Sequence, residues 1–248
     1  MEQMPKIKSV APCAAGTLLT DTTPTIDRQD TSSTFDRLAR PYRWLEYAAF
    51  GRGLLRCRYD LLPWLVDARR VLTVGEGDGR FVAELARQFP ETKVDCVEAS
   101  GTMIACARER LPANTKVRFH QADALEWGYS KDKYDAVVTC FFLDCFSPET
   151  LAVLMPRLAA SVRPEGQWLV AEFGQPSRGV CGWHAKAWLA AMYFFFRHAT
   201  QLEARRLPDW EGGMAQLGLR CCGRLSRRWN LIAASRWSYA GINSQNCG

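Results

Sequence analysis

Val71-Leu72-Thr73-Val74-Gly75-Glu76-Gly77-Asp78-Gly79-Arg80-Phe81 places a short run of mostly apolar residues, then three alternate glycines, at the head of an amphipathic segment. A short apolar run stopped by glycine reads as a buried strand, and the spacing over Arg80–Gln88 reads as a helix. Glycines at such a junction let the backbone turn sharply and approach a ligand, while the helix that follows offers free N–H groups and a positive dipole end. A tight strand-to-helix turn with no ligand satisfies the same pattern. The dinucleotide fingerprint G-x-G-x-x-G needs glycine at position 80, where Arg80 stands, which counts against a nicotinamide cofactor.

The rhythm continues outward from this loop. Lys93–Glu98 is rich in strand formers and Thr102–Arg110 reads as a helix. Lys116–Phe119, Tyr134–Phe141 and Gln167–Phe173 read as further strands, with a helix over Pro148–Val162. This alternation predicts an α/β protein with a doubly wound, mostly parallel sheet. Leu219–Leu225 and Asn230–Trp237 are strand-like runs joined too closely for a crossover, so they predict an antiparallel hairpin. On the other side of the loop, Phe35, Leu38, Tyr42, Leu45, Leu54, Leu61 and Leu65 recur at helical spacing. The expected organisation is a mobile leader over 1–32, a helical cap over 33–67, a ligand-binding core over 68–175, covering helices over 176–217 and a terminal hairpin over 218–240.

Composition fits this plan. The chain has 248 residues, 48% hydrophobic and 23% charged, enough for one large domain and unlike a disordered or fibrous chain. The net charge of +6 lies mostly in residues 197–248, where eight Arg face three acids. That is too mild to require nucleic acid, and a solvated basic face accounts for it. Ten cysteines include no C-x-x-C, so free thiols in a cytoplasmic protein are expected, with no metal site. The apolar run from 187 to 196 is half a bilayer span, so no transmembrane segment is expected.

Two acids close the second and third strands. Glu98 lies nineteen residues past Gly79, where a carboxylate can accept hydrogen bonds from both hydroxyls of a ribose. Ala99, Ser100 and Met103 follow it. Asp123-Ala124-Leu125 offers an acceptor for an adenine amino group between apolar walls. Taken singly, each acid could equally cap a helix or sit in solvent. Together they mark the crevice at the carboxyl ends of the strands, where open α/β sheets bind ligands.

With these residues in view, the sequence resembles the class I S-adenosylmethionine-dependent methyltransferases over roughly residues 35–240. The matching pieces are VGEGDGRF, VEAS, HQADAL, YDAVVTCFFLDCF, PEGQWLVAEF and the closing hairpin. The resemblance implies a Rossmann-like seven-stranded sheet with an antiparallel last strand, and S-adenosyl-L-methionine as cofactor. It implies Gly75, Glu76 and Gly77 along the methionine part, Glu98 on the ribose, and Ala99, Ser100 and Met103 at the ribose and adenine edge. Asp123, Ala124 and Leu125 would hold the adenine, with Cys140 and Phe141 toward the sulfonium. Many members carry an acid two residues before the first glycine; here it is Thr73.

Candidates for the methyl acceptor's site are Phe142, Asp144, Phe173, Phe35 and Tyr42. Asp144 sits in an apolar run where an unpaired carboxylate is costly, so it either caps the helix beginning near Ser147 or acts on the acceptor. Cys140 and Cys145 read as core thiols. The aromatic stretch from Trp183 to Phe196 reads as packing with a partial pocket role. No Asn- or Asp-Pro-Pro-aromatic tetrad follows the fourth strand, so a nucleic-acid acceptor is not expected; the resemblance leans loosely toward quinone-biosynthesis enzymes. The reading is methyl transfer to the O, S or C atom of a small hydrophobic or aromatic acceptor. A catalytically silent cofactor-binding partner, or less favourably a nicotinamide-dependent oxidoreductase, stays open beside it.

Overall fold

The computed structural model describes residues 52–174, 208–227 and 231–239. The expected leader, the first part of the cap, most of the segment 176–217, and the candidates Phe35 and Tyr42 lie outside them. Helix α1 (Gly53–Tyr59) and a 3-10 turn (Leu62–Leu65) precede β1 (Arg70–Val74). Then come α2 (Arg80–Gln88), β2 (Lys93–Glu98), α3 (Gly101–Arg110), β3 (Val117–Gln121) and β4 (Tyr134–Cys140). A second 3-10 turn (Leu143–Cys145), α4 (Pro148–Ser161), β5 (Val162–Phe173), α5 (Trp210–Gln216), β6 (Leu219–Arg227) and β7 (Ile232–Tyr239) complete the described elements.

The strands form one seven-stranded sheet in the order β3-β2-β1-β4-β5-β7-β6. The first five run parallel, and β7 is antiparallel to both β5 and β6. The doubly wound sheet and the antiparallel hairpin follow the expectation from the sequence. Helix α3 begins and α4 ends a residue earlier than expected, and Ser100 and Ser147 supply their N-terminal caps through bonds from the N–H groups of Met103 and Thr150. Strand β5 begins earlier than expected, at Val162. Val162 pairs with Tyr134, and the ladder resumes only at Gln167 opposite Ala136. Arg163–Gly166 is therefore an excursion within the strand, which is why alternation alone places the start at Gln167.

Both faces of the sheet are covered. On one, Val71, Val138, Cys140, Leu169, Ala171 and Ala234 pack with α1 and with Phe81, Val82 and Leu85 of α2. On the other, Leu72, Val74, Val137, Trp168, Val170 and Trp237 pack with Leu151, Leu154 and Leu158 of α4 and Trp210 and Met214 of α5. A sheet buried on both faces needs near-continuous apolar strands, and β1 and β4 supply them. The order reverses between β1 and β4, so a crevice opens at the carboxyl ends of those strands. Among the described residues no helix is long and apolar enough to cross a membrane.

Candidate active site

The glycine loop occupies one wall of that crevice. Gly75, Gly77 and Gly79 have φ of +67°, +71° and +80°, conformations that L side chains rarely adopt. Two of them also make room. A Cβ on Gly79 would meet Ala107 Cβ at 2.3 Å, so glycine lets α3 press against the start of α2, whereas a Cβ on Gly77 would meet nothing within 4 Å. The loop's backbone is thus open at Gly77, where a ligand can lie against it. Asp78 is locked from behind by Arg80 Nε at 2.9 Å and by Arg110, which donates to its carbonyl and carboxylate. Arg80 in place of a third fingerprint glycine therefore serves to brace the turn.

Glu76 binds the head of the helix that follows the loop. One of its carboxylate oxygens accepts the N–H groups of Phe81 and Val82 at 3.0 and 3.1 Å, satisfying the exposed first turn of α2. Burial pushes its carboxyl up to about 7, against the opposing pull of the Arg58 guanidinium and those N–H bonds. One oxygen of the Glu76 side chain is thus turned to the head of α2.

Glu98 joins the two sides of the site. Its Oε2 accepts the Gly77 N–H at 2.9 Å and its Oε1 the Ser100 N–H at 3.0 Å. A carboxylate oxygen has further lone pairs, so Glu98 can still accept from a vicinal diol. Ser100 is buried and its hydroxyl caps α3, while Ala99 is exposed and Met103 half-buried beside it. Asp123 is exposed, with Oδ1 accepting the Leu125 N–H at 2.7 Å; Ala124 is buried and Leu125 half-buried. Glu98 and Asp123 thus follow neighbouring strands at the same end of the sheet.

The turn after β4 forms the opposite wall. Phe141 has φ +52°, a strained position for a bulky side chain and one of the three non-glycine residues with positive φ among those described. Its ring packs on Phe173 at 5.1 Å and lies under the Arg58 guanidinium at 5.3 Å. Phe173 is buried in the core that includes residues of α1. The Phe142 ring covers Gly75 so closely that a Cβ there would meet its Cδ2 at 2.0 Å, and it stacks edge-on with Phe146 at 4.9 Å. Cys140 is a core thiol raised well above the ordinary range by burial.

Asp144 is not the cap of α4, since Ser147 is. It is buried in the 3-10 turn, and its Oδ1 accepts from the Cys145 thiol at 3.6 Å. That removes one of its two expected roles. Beside it stands a residue the sequence reading missed. Glu172, fully buried at the end of β5, accepts the N–H groups of Phe142 and Leu143 at 2.8 and 2.7 Å through Oε1. Its Oε2 has no hydrogen-bond partner among the described residues. Burial, then the charge of Asp144, push its carboxyl well above the usual range. Within the run LVAEF, Glu172 gives no periodic signal; only the apolar neighbours that make its burial costly could have drawn attention to it.

A loop between β1 and α2, a carboxylate closing β2 and an open backbone at Gly77 are the parts of a nucleoside site. Residues 71–166 match the family model described as a methyltransferase domain. Over that stretch the chain is similar to S-adenosylmethionine-dependent methyltransferases. It is 28% identical over 131 residues to the demethylmenaquinone methyltransferase of Deinococcus radiodurans, covering 52% of this chain and 51% of that one. It is 37% identical over 84 residues to the trans-aconitate 2-methyltransferase of Rhodopseudomonas palustris, covering 33% of this chain and 32% of the relative. The chain thus spans half the length of the first of these methyltransferases and a third of the second. Among solved structures, the S-adenosylmethionine-dependent methyltransferase SibL in its apo form is similar with a TM-score of 0.58 at 28% identity, over 77% of this chain and 57% of that one. Among the described residues, no group of His, Cys, Asp and Glu could hold a metal ion.

Proposed function

We propose that this chain transfers a methyl group from S-adenosyl-L-methionine to a small hydrophobic or aromatic acceptor. The observation that carries the reading is Glu98, whose carboxylate bridges the open glycine loop and the start of α3. Held in the crevice, the cofactor supplies a methyl group on a positively charged sulfur, so no enzyme nucleophile is needed. Glu98 accepts the ribose hydroxyls and Asp123 the adenine amino group, while Ala124 and Leu125 wall the base. The backbone at Gly75 and Gly77 receives the methionine end. Phe142 and Phe146 keep water from the sulfur and shape an apolar acceptor site, and Asp144 orients the acceptor or takes its proton. The molecules those relatives are named for, demethylmenaquinone and trans-aconitate, agree in being small. We place the reaction in the cytoplasm and away from nucleic acid.

Titration calorimetry with S-adenosylhomocysteine tests the cofactor site. Glu98→Ala should weaken binding by about 1.5–3 kcal/mol, the range for a hydrogen bond to a charged group, with the fold intact. An unchanged titration would overturn the assignment. Release of S-adenosylhomocysteine across a panel of phenols, quinols and thiols tests the transfer itself.

A further inference from the structure

The loop between β3 and β4 contains the proposed adenine site, yet it has no regular secondary structure of its own over residues 122–133. Its backbone winds around Asp123: the Glu126 and Trp127 N–H groups donate to the Asp123 carbonyl at 3.0 and 2.9 Å, and the Leu125 N–H to Oδ1. Such a turn fixes the Asp123 carboxylate only if its far side is held, and side chains hold it. Arg157 of α4 donates from Nη1 to the Leu125 carbonyl and from Nη2 to the Trp127 carbonyl, the latter at 3.0 Å. Its guanidinium also lies over the Tyr129 ring at 5.5 Å, and the Tyr129 hydroxyl donates to the Ala124 carbonyl at 2.9 Å.

Three carbonyl anchors, at 124, 125 and 127, therefore tie the loop down, and two come from one planar fork. A lysine ammonium carries the same charge but not the flat, paired donors that span two carbonyls at once. Neither Arg157 nor Tyr129 belongs to the crevice wall described above. We propose that Arg157 is a positioning residue for base recognition, holding the β3–β4 loop so that Asp123 meets the amino group of an adenine. The Asp123 oxygen that does not serve Leu125 takes no hydrogen bond among the described residues and remains for that contact. This inference rests on the proposed cofactor.

The test measures the affinity of the full-length protein for S-adenosylhomocysteine and for S-inosylhomocysteine, whose base carries a carbonyl where adenine has its amino group. The wild type should prefer the adenine form, and Asp123→Asn, which leaves the loop's anchors alone, should reduce that preference. Arg157→Ala should weaken S-adenosylhomocysteine by about tenfold, the scale of one charged hydrogen bond, and lose most of the preference. Arg157→Lys should fold as the wild type does and lose preference in the same direction, which keeps the test open if the alanine variant is unstable. Equal weakening of both ligands, with the preference kept, would reduce Arg157 to a structural brace and overturn the proposal. A wild type that binds neither ligand would bring down the cofactor reading as well, an outcome distinct from the first.

Discussion

Glu76 shows how one side chain can be committed to structure inside a site. Its carboxylate sits buried at the head of α2, and its folded pKa of about 7 lies above the ordinary 4.5. A raised carboxyl binds its proton more tightly folded than unfolded. The stability that the proton confers is fully present below pH 4.5 and is lost as pH rises through 7. Between those limits the wild type should lose about 3 kcal/mol relative to Glu76→Gln, whose amide keeps an acceptor for Phe81 and Val82 but does not titrate. Urea unfolding of the two proteins at several pH values checks this, and parallel curves would contradict it. At this scale the sequence is informative where a residue's role is local. Glu98 and Gly77 are legible from spacing because both follow strands directly. Glu172 and Arg157 are not, because their partners lie about thirty residues away in chain segments that only the fold brings near. Asp144 was readable as buried but not as excluded from the cap, since Ser147, three residues later in the chain, caps that helix instead.

Elements are held to one another by a polar cluster as well as by apolar faces. Asp95 of β2 accepts from Lys133 Nζ, just before β4, at 3.0 Å and from the Tyr134 hydroxyl, at its start, at 2.9 Å, and pairs with His120 Nε2 of β3 at 3.0 Å. Burial alone would push its carboxyl up, but the hydrogen bonds from His120, Lys133 and Tyr134 outweigh it and hold the carboxyl at about 2. Here the folded pKa lies below the unfolded 3.8, so the contribution is present above pH 3.8 and is lost as pH falls through 2. Because the group is partly open to solvent, about 1 kcal/mol is expected after screening. Wild type and Asp95→Asn should therefore converge in stability between pH 4 and 2 in a denaturant series at about 0.5 pH-unit steps; a constant gap would show that the cluster contributes nothing through ionisation. The strands themselves were legible as elements because apolar runs and glycine stops are local signals. The excursion at Arg163–Gly166 was not, since what sets it is the register against β4.

For the whole molecule, binding and stability are one equilibrium. A ligand that binds only the folded crevice adds RT ln(1 + [L]/Kd) to the unfolding free energy, about 2.7 kcal/mol at a hundred times Kd. S-adenosylhomocysteine at that excess should raise the melting temperature, with the gain growing logarithmically with concentration; a melting temperature indifferent to it would contradict the proposed site. The architecture that presents the crevice was legible from alternation of strand and helix plus one link too short for a crossover. The docking of α1 was not. Asp60, just past that helix, receives both the Nε and Nη2 of Arg227 at the end of β6, the latter at 2.7 Å, across 167 residues of chain.

That strand order has a consequence for synthesis. Because β7 lies between β5 and β6, the outermost strand has nothing to pair with until the last described strand has been made. A nascent chain halted before Ile232 would display the bare margin of β5, an edge open to unwanted pairing.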